Sequence, residues 1–378
     1  MATVSTRLSG AKRIVIKVGS ALLINSKTET LNAAWLATLA ADIADLRARG
    51  AQILVVSSGA IALGRRKLKF HDGVLNLEEA QAAAATGQID LAQAWAGALG
   101  AHGATVAQVL LTLWDTEERR RYLNARDTIE TLLKRGAIPV VNENDTVATS
   151  EIRFGDNDRL AARVAGMISA DCLVLLSDID GLYREDPAIN PQAEFIPEVA
   201  DVTPQIEAMA GEVRPITGAA IGSGGMATKI MAAKIATAAG CHMAVTSGKH
   251  DHPLTRLLGG ARATWFAAGL SPRAARKRWI AGGLNPEGSA VVDAGAARAL
   301  NKGGSLLPTG VTAIKGAFER GAVLDITDEA GVLVARGLSA YSSEDARRII
   351  GHNSSEIEGL VGYRGRAELV HRDDMVLV

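Results

Sequence analysis

Two apolar rhythms alternate along residues 1–247. Short, nearly unbroken apolar runs read as strands buried on both faces: "RIVIKVG" (13–19), "QILVVSSG" (52–59), "TVAQVLL" (105–111), "AIPVVNEN" (137–144), "CLVLLSD" (172–178) and "CHMAVTSG" (241–248), the last of the series. Between them, residues 31–50, 77–100, 116–135, 158–170 and 226–240 carry apolar positions at helical spacing, and glycines such as Gly50 and Gly136 stop two of them. Continuous apolar strands joined by helices predict a mostly parallel central sheet with helices on both faces, a three-layer α/β domain over residues 1–270. After that the texture changes. "SPRAARKRWIAGG" is basic without a clear apolar face, and 271–284 reads as a solvated linker. From 285 to 378, short β-like pieces alternate with glycine-rich turns, and two short helices are expected at 294–302 and 343–351, making a small β-rich domain. No internal repeat or low-complexity segment interrupts this pattern.

Composition narrows the class. The chain has 378 residues, 48% of them hydrophobic, enough for a large core and a second domain. Formal net charge is zero, so no global field draws in nucleic acid or anionic membrane. The two cysteines are too few for a disulfide framework, and Cys172 and Cys241 read as small buried hydrophobes at strand starts. "MATVSTRLSGAKR" lacks a signal-peptide apolar region, and no uninterrupted apolar run reaches the roughly 18 residues of a membrane span. A cytoplasmic protein is the expectation.

The chemistry gathers at strand ends. In an open parallel sheet, ligands bind at the carboxyl ends of the strands. Polar clusters stand at four such ends: Lys17-Val18-Gly19-Ser20, Ser57-Ser58-Gly59-Ala60, Asn142-Glu143-Asn144-Asp145 and Ser177-Asp178. No G-x-G-x-x-G follows the first strand, which argues against hydride transfer with a dinucleotide. "GSGGMATK" (222–229) is not a P-loop either, because its lysine follows Thr228 and precedes Ile230. Lys17 at a strand end can reach a phosphate, but by itself it reads more readily as an ordinary edge lysine. Lys229, in the first turn of a helix behind a glycine-rich loop, combines a cation with free helix amides and can receive an anion. In "RFGDNDRL", Asp156, Asn157 and Asp158 precede a helix, where one cap would need one residue; the surplus suits ligand or lysine positioning. The "HDH" of 250–252 reads as a surface loop, and Trp35, Trp95 and Trp114 read as core.

Taken together, "VIKVGSALL", "VVSSGAIALG", "QAAAATGQ", "PVVNENDTVA", "FGDNDRLAARVA", "LLSDIDGLY" and "GSGGMATKIMAAKIA" resemble the glutamate 5-kinases (γ-glutamyl kinases) of the amino-acid kinase superfamily, in order and spacing across essentially the whole chain. The C-terminal part is similar to a PUA domain. The resemblance implies an amino-acid-kinase-like fold and transfer of a phosphoryl group from ATP, with Mg²⁺ on the nucleotide, to the γ-carboxylate of L-glutamate, the first step of proline synthesis. It also implies inhibition by proline, and a homo-oligomer is expected. Carried over by motif, Lys17 and Lys229 contact the transferring phosphoryl group and Asp158 orients them. Ser58, Asp145 and Asn157 bind glutamate, with Asp156 in support. Lys17, Ser177, Asp178, Ser223, Gly224, Gly225, Met226, Ala227, Thr228 and Lys229 bind ATP, and no protein side chain is expected to form a metal site. Ser57, Ser177 and Ser223 stand where many members carry threonine, and each keeps the hydroxyl.

That layout suits the reaction. A γ-carboxylate is already ionised at neutral pH, so no base is needed to make the nucleophile. The obstacle is the approach of two anions, which positioning and positive charge overcome. An acidic Asp145 would hold the substrate ammonium and disfavour N-acetylglutamate. Rival readings are a superfamily kinase acting on acetylglutamate, aspartate or UMP, and an RNA-binding or RNA-modifying protein. Residues 285–378 carry 10 Lys and Arg against 13 Asp and Glu, no basic platform for RNA. Contact with glutamyl phosphate reductase would protect a labile acyl phosphate, but no residue demonstrates it.

Overall fold

The computed structural model describes residues 4–25, 28, 30–70, 73–147, 156–209, 225–282 and 285–378. It divides into two compact units, Met1–Pro272 and Arg273–Val378.

The first unit is built on an eight-stranded sheet: β1 (Arg13–Val18), β2 (Gln52–Ser57), β3 (Val106–Leu111), β4 (Ile138–Glu143), β5 (Cys172–Ser177), β6 (Glu198–Val199), β7 (His242–Ser247) and β8 (Ala263–Phe266). Their order is β6-β8-β7-β5-β1-β2-β4-β3. The six strands from β7 to β3 run parallel, as the unbroken apolar runs predict. The run at 241–248 is not the last strand: β8 returns antiparallel to β7, and β6 pairs with β8. These two pieces have four and two residues, too short to show a period in the sequence.

Besides the short helices Val4–Ser9, Ser20–Leu23 and Pro204–Met209, the helices are α1 (Ala33–Ala48), α2 (Ala60–Lys67), α3 (Leu77–Gly100), α4 (Arg119–Lys134), α5 (Asp156–Met167), α6 (Met226–Ala238) and α7 (Pro253–Leu258). Alternation along β1 sorts them into two layers. Ile14, Ile16 and Val18 pack with Leu36, Leu39 and Ile43 of α1 and Leu91 and Trp95 of α3. Val15 packs into the opposite layer with Ile129 of α4, Leu160 and Val164 of α5, and Ala233 of α6. Successive strand residues face opposite sides, so Lys17 shares the face of Val15, toward α5 and α6.

α3 starts where its sequence caps it. Asn76 accepts from Glu79 N at 2.8 Å, and Glu79 accepts from Asn76 N at 2.9 Å. Such a reciprocal cap contributes about 1 kcal/mol. α3 then crosses α2 at van der Waals limits through Gly64 and Gly87: a Cβ on Gly64 would lie 1.7 Å from Ala83 O, and one on Gly87 would lie 1.9 Å from Ala60 O.

Cys172 and Cys241 are fully buried, and burial pushes the Cys172 thiol up to about 12. Trp35 and Trp95 are core, their indole N–H groups donating to Gly248 O at 2.7 Å and to Ser57 Oγ at 2.9 Å. Trp114 is not: it is 61% exposed, in a short 3₁₀ turn after the edge strand β3, where no further strand among the described residues covers it. His252 Nδ1 lies 2.9 Å from Asp42 Oδ1, and the same buried carboxylate accepts from Leu254 N at 2.9 Å, tying α7 to α1.

The second unit has a five-stranded sheet of β9 (Gly288–Val292), β10 (Val311–Lys315), β11 (Val323–Asp328), β12 (Leu333–Leu338) and β13 (Met375–Leu377), in the order β10-β9-β11-β12-β13. Its helices are α8 (Pro272–Gly282), α9 (Ala294–Asn301), α10 (Ser343–Ile349) and α11 (Ile357–Val361). α9 and α10 lie where the sequence places its two short helices; α8 and α11 do not follow from it. Segment 271–284, expected as a solvated linker, is largely this α8. Its Ile280 is buried against Val323 and Leu338, and Arg276 and Arg273 ion-pair with Asp374 and Asp373. Only Ala275 and Ile280 of this helix are buried, too few to reveal that face, and the acidic partners lie about a hundred residues away in sequence. Among the described residues no helix is long and apolar enough to cross a membrane.

Candidate active site

The carboxyl ends of β1, β2, β4, β5 and β7 share one edge of the sheet. From β1 the chain passes to β2 on one side and later, through α5, to β5 on the other. This reversal next to β1 is the switch point where open α/β sheets leave a crevice. Lys17 stands at that end of β1, facing α5 and α6.

Three charges meet there. Lys17 Nζ lies 2.6 Å from Asp158 Oδ1, and Lys229 Nζ lies 3.4 Å from Asp158 Oδ2. All three residues are buried, Asp158 completely. Asp158 belongs to the first turn of α5, where the helix dipole favours an anion, and Lys229 to the first turn of α6. Burial by itself would raise the Asp158 carboxyl. The ammonium groups of Lys17 and Lys229, with hydrogen bonds from Lys17 and Thr228, outweigh it and hold the carboxyl below its ordinary value. Two ammonium groups thus converge on one buried carboxylate, and their remaining N–H groups can serve an anion that enters the site.

α6 adds donors for such an anion. Its N-cap is Gly225, which has no side chain to satisfy the first-turn amides. The Thr228 hydroxyl lies 2.8 Å from Gly225 O and 3.2 Å from Asp158 Oδ2. Met226 and Ala227 are half-buried in the same turn. Ser177 ends β5, and its hydroxyl donates to Asp178 Oδ1 at 3.0 Å. Ser223 and Gly224 lie outside the described residues, as does the side chain of Asp156, the first residue of α5.

A second cluster adjoins the charged one through the neighbours Asn157 and Asp158. Ser58 follows β2, and Gly59 after it has φ +114°, a left-handed turn that launches α2. Asn157 Nδ2 donates to Ser58 Oγ at 2.7 Å and to Asn142 Oδ1 at 3.4 Å. Asn142 Nδ2 in turn donates to Gln88 Oε1 of α3 at 2.7 Å. Asn157 Oδ1 is buried without a hydrogen-bond partner among the described residues. Asp145, beyond β4, is buried too, and no described residue pairs with it; burial raises its carboxyl from 3.8 to about 6.

The structure thus brings Lys17, Asp158, Thr228 and Lys229 into one cluster and Ser58, Asn157 and Asn142 into another. Ser177 and Asp178 touch each other, and Asp145 hydrogen-bonds to neither group. Gln88 went unassigned in the sequence. Its signal was "QAAAATGQ", a motif in the right place with no chemistry of its own.

The amino acid kinase family profile matches residues 12–247, and the PUA domain profile matches residues 288–361. A glutamate 5-kinase of Paramagnetospirillum magneticum is 60% identical over 370 residues, covering 98% of this chain and 99% of that protein. Glutamate 5-kinase 1 of Rhizobium meliloti is 57% identical over 372 residues, covering 98% and 93%. The chain belongs to the glutamate 5-kinases of the amino acid kinase family.

In this member of the family, Asp145 carries a testable strain. Its folded-state pKa lies above the unfolded one, so between pH 4 and 6 the folded protein binds more protons than the unfolded chain, and stability falls as pH rises through that window. Above pH 6 the cost of the lone buried carboxylate is about 3 kcal/mol. Asp145→Asn is therefore expected to raise the melting temperature of the ligand-free protein at pH 7.5 by several degrees, with the gain gone near pH 4. An equal gain at both pH values would show that the carboxylate bears no such cost.

Proposed function

We infer that the protein transfers the γ-phosphoryl group of ATP to the γ-carboxylate of L-glutamate, giving ADP and L-glutamyl 5-phosphate, the first step of proline synthesis. It is an enzyme, a kinase of the glutamate 5-kinase group. The observation that carries the reading at the level of residues is the buried Lys17–Asp158–Lys229 group, two ammonium groups converging on one carboxylate.

In the reaction an oxygen of the γ-carboxylate forms a bond to the γ-phosphorus as the bond to the β,γ-bridging oxygen breaks, and ADP leaves with that electron pair. No proton moves in this step. Lys17 and Lys229 offset the negative charge gathered around phosphorus, and Asp158 keeps the two ammonium groups at fixed separation. The first-turn amides of α6, Gly225 to Thr228, receive phosphate oxygens, as do Ser223 and Gly224 in this reading, while Ser177 and Asp178 line the rest of the nucleotide site. Ser58, Asn157 and Asp145, with Asp156 in support, hold glutamate.

Magnesium fits as an ion carried by the nucleotide. Asp158 is committed to two lysines, and the described residues contain no group of three His, Cys, Asp or Glu side chains able to hold a metal. Mg²⁺ bound through phosphates and water needs no such cage, and it would supply further positive charge to the phosphates. The same reading carries a cytoplasmic location, inhibition by L-proline, self-association and contact with glutamyl phosphate reductase, all supported by family membership alone. RNA binding by the PUA domain is disfavoured by its excess of acidic residues.

The test is ADP release with hydroxylamine trapping of the acyl phosphate, offering L-glutamate, L-aspartate and N-acetyl-L-glutamate in parallel. Hydroxamate from glutamate alone is expected. Hydroxamate from N-acetylglutamate would overturn the assignment of Asp145 to the substrate ammonium, and none from any acid would overturn the reaction.

A further inference from the structure

Glutamate has only one hydrogen-bond donor at neutral pH, its α-ammonium group; both carboxylates only accept. A buried acceptor left without a partner in a glutamate site is therefore useful only to that ammonium. Asn157 Oδ1 is such an acceptor. Its availability follows from the order of donors and acceptors behind it. Gln88 presents Oε1, so the Asn142 amide turns its Nδ2 toward α3. Asn142 Oδ1 then faces Asn157, which must answer with Nδ2, shared with Ser58 Oγ. Only Oδ1 of Asn157 remains. Each amide has two faces of opposite polarity, so fixing one end of the row fixes all the others.

We propose that Gln88 is a positioning residue that sets this polarity, turning Asn157 so that its carbonyl oxygen meets the substrate ammonium. The proposal rests on glutamate being the acceptor substrate. Gln88 is suited to the task because its backbone is held in place. The adjoining Gly87 lies at the α2–α3 crossing, where Ala60 O leaves no room for a Cβ, and α2 begins two residues after Ser58. Both ends of the amide row are thus anchored to one rigid helix pair. Without an acceptor at position 88, the buried Asn142 amide gains by reversing, and Asn157 would then bring N–H groups toward a cation.

The experiment compares wild type with Gln88→Met, which keeps the length of the side chain and removes its acceptor, and Gln88→Glu, which retains an acceptor. The readouts are KM for glutamate, KM for ATP, the melting temperature, and Ki for glutarate, the same diacid without the amine. In Gln88→Met, KM for glutamate is expected to rise at least tenfold. The Ki of glutarate and KM for ATP should change less than twofold, and the melting temperature should stay within about two degrees. Gln88→Glu should recover the preference for glutamate over glutarate to within about threefold of wild type. Equal weakening of glutamate and glutarate, or no change in either, would overturn the proposal while leaving the reaction intact. Failure of the wild type to phosphorylate glutamate would instead overturn the reaction, and the proposal with it.

Discussion

Asp158→Asn is expected to abolish measurable turnover, a loss of at least about 10³-fold, and to destabilise the fold by about 3–5 kcal/mol, the cost typical of breaking a buried ion pair from one side. The substitution keeps the shape and removes the one carboxylate that faces both Lys17 and Lys229. Two buried ammonium groups then lose the carboxylate they share. At roughly 2–4 °C per kcal/mol for a domain of this size, the melting temperature should drop by about 10 °C. The sign with pH follows from the depressed carboxyl: its contribution is present above the ordinary carboxylate pKa near 4 and is lost as pH falls through the lower folded value. The deficit of the variant should therefore be full at neutral pH and shrink in strong acid. Lys229→Ala provides the contrast. It keeps the Lys17–Asp158 pair, so it should lose catalysis by about two to three orders of magnitude while destabilising the fold less than Asp158→Asn does. An Asp158→Asn protein keeping a tenth of wild-type activity would overturn the charge argument.

Gly64→Ala and Gly87→Ala are each expected to cost more than about 3 kcal/mol, or to prevent folding, because each new methyl would overlap a backbone oxygen rather than a side chain that can swing away. Backbone relief means sliding α2 along α3, and α2 begins directly behind Ser58 and Gly59. Any surviving protein should therefore show a weakened KM for glutamate as well as a lower melting temperature. Gly97→Ala, in the same helix α3, is the control: nothing lies within 4 Å of the added methyl, so helix propensity alone should stabilise it by up to about 1 kcal/mol. Thermal unfolding of the three variants decides the matter. Gly64→Ala melting within two degrees of wild type would show that the crossing has slack.

How far the sequence reached differs between elements for physical reasons. The six parallel strands and α1, α3, α4, α5 and α6 were legible because a strand covered on both faces must be continuously apolar, and a helix covering a sheet must repeat its apolar positions every three or four residues. β6, β8, α8 and α11 were not, because elements this short, or with so few buried positions, take their shape from neighbours far along the chain. Trp114 shows the same limit: an indole after an apolar strand reads as core, and only the strand order reveals that β3 is an edge.

At the site, the sequence by itself determined which chemistry was present. Polar groups closing apolar strands, a lysine behind a glycine-rich turn, and an excess of Asp and Asn before α5 all break the local pattern, and a break in pattern is readable. What the tertiary structure decided was who faces whom. Only the crossover of α5 sets Asp158 between lysines lying 141 residues before it and 71 after it in the chain. Only the glycine crossing brings Gln88 to Asn142. Only the packing around them leaves Asp145 and the buried Asn157 oxygen without partners among the described residues. Composition and spacing report what a side chain is, whereas its charge state and its free hydrogen-bonding face depend on the solvent removed and the neighbours supplied by folding.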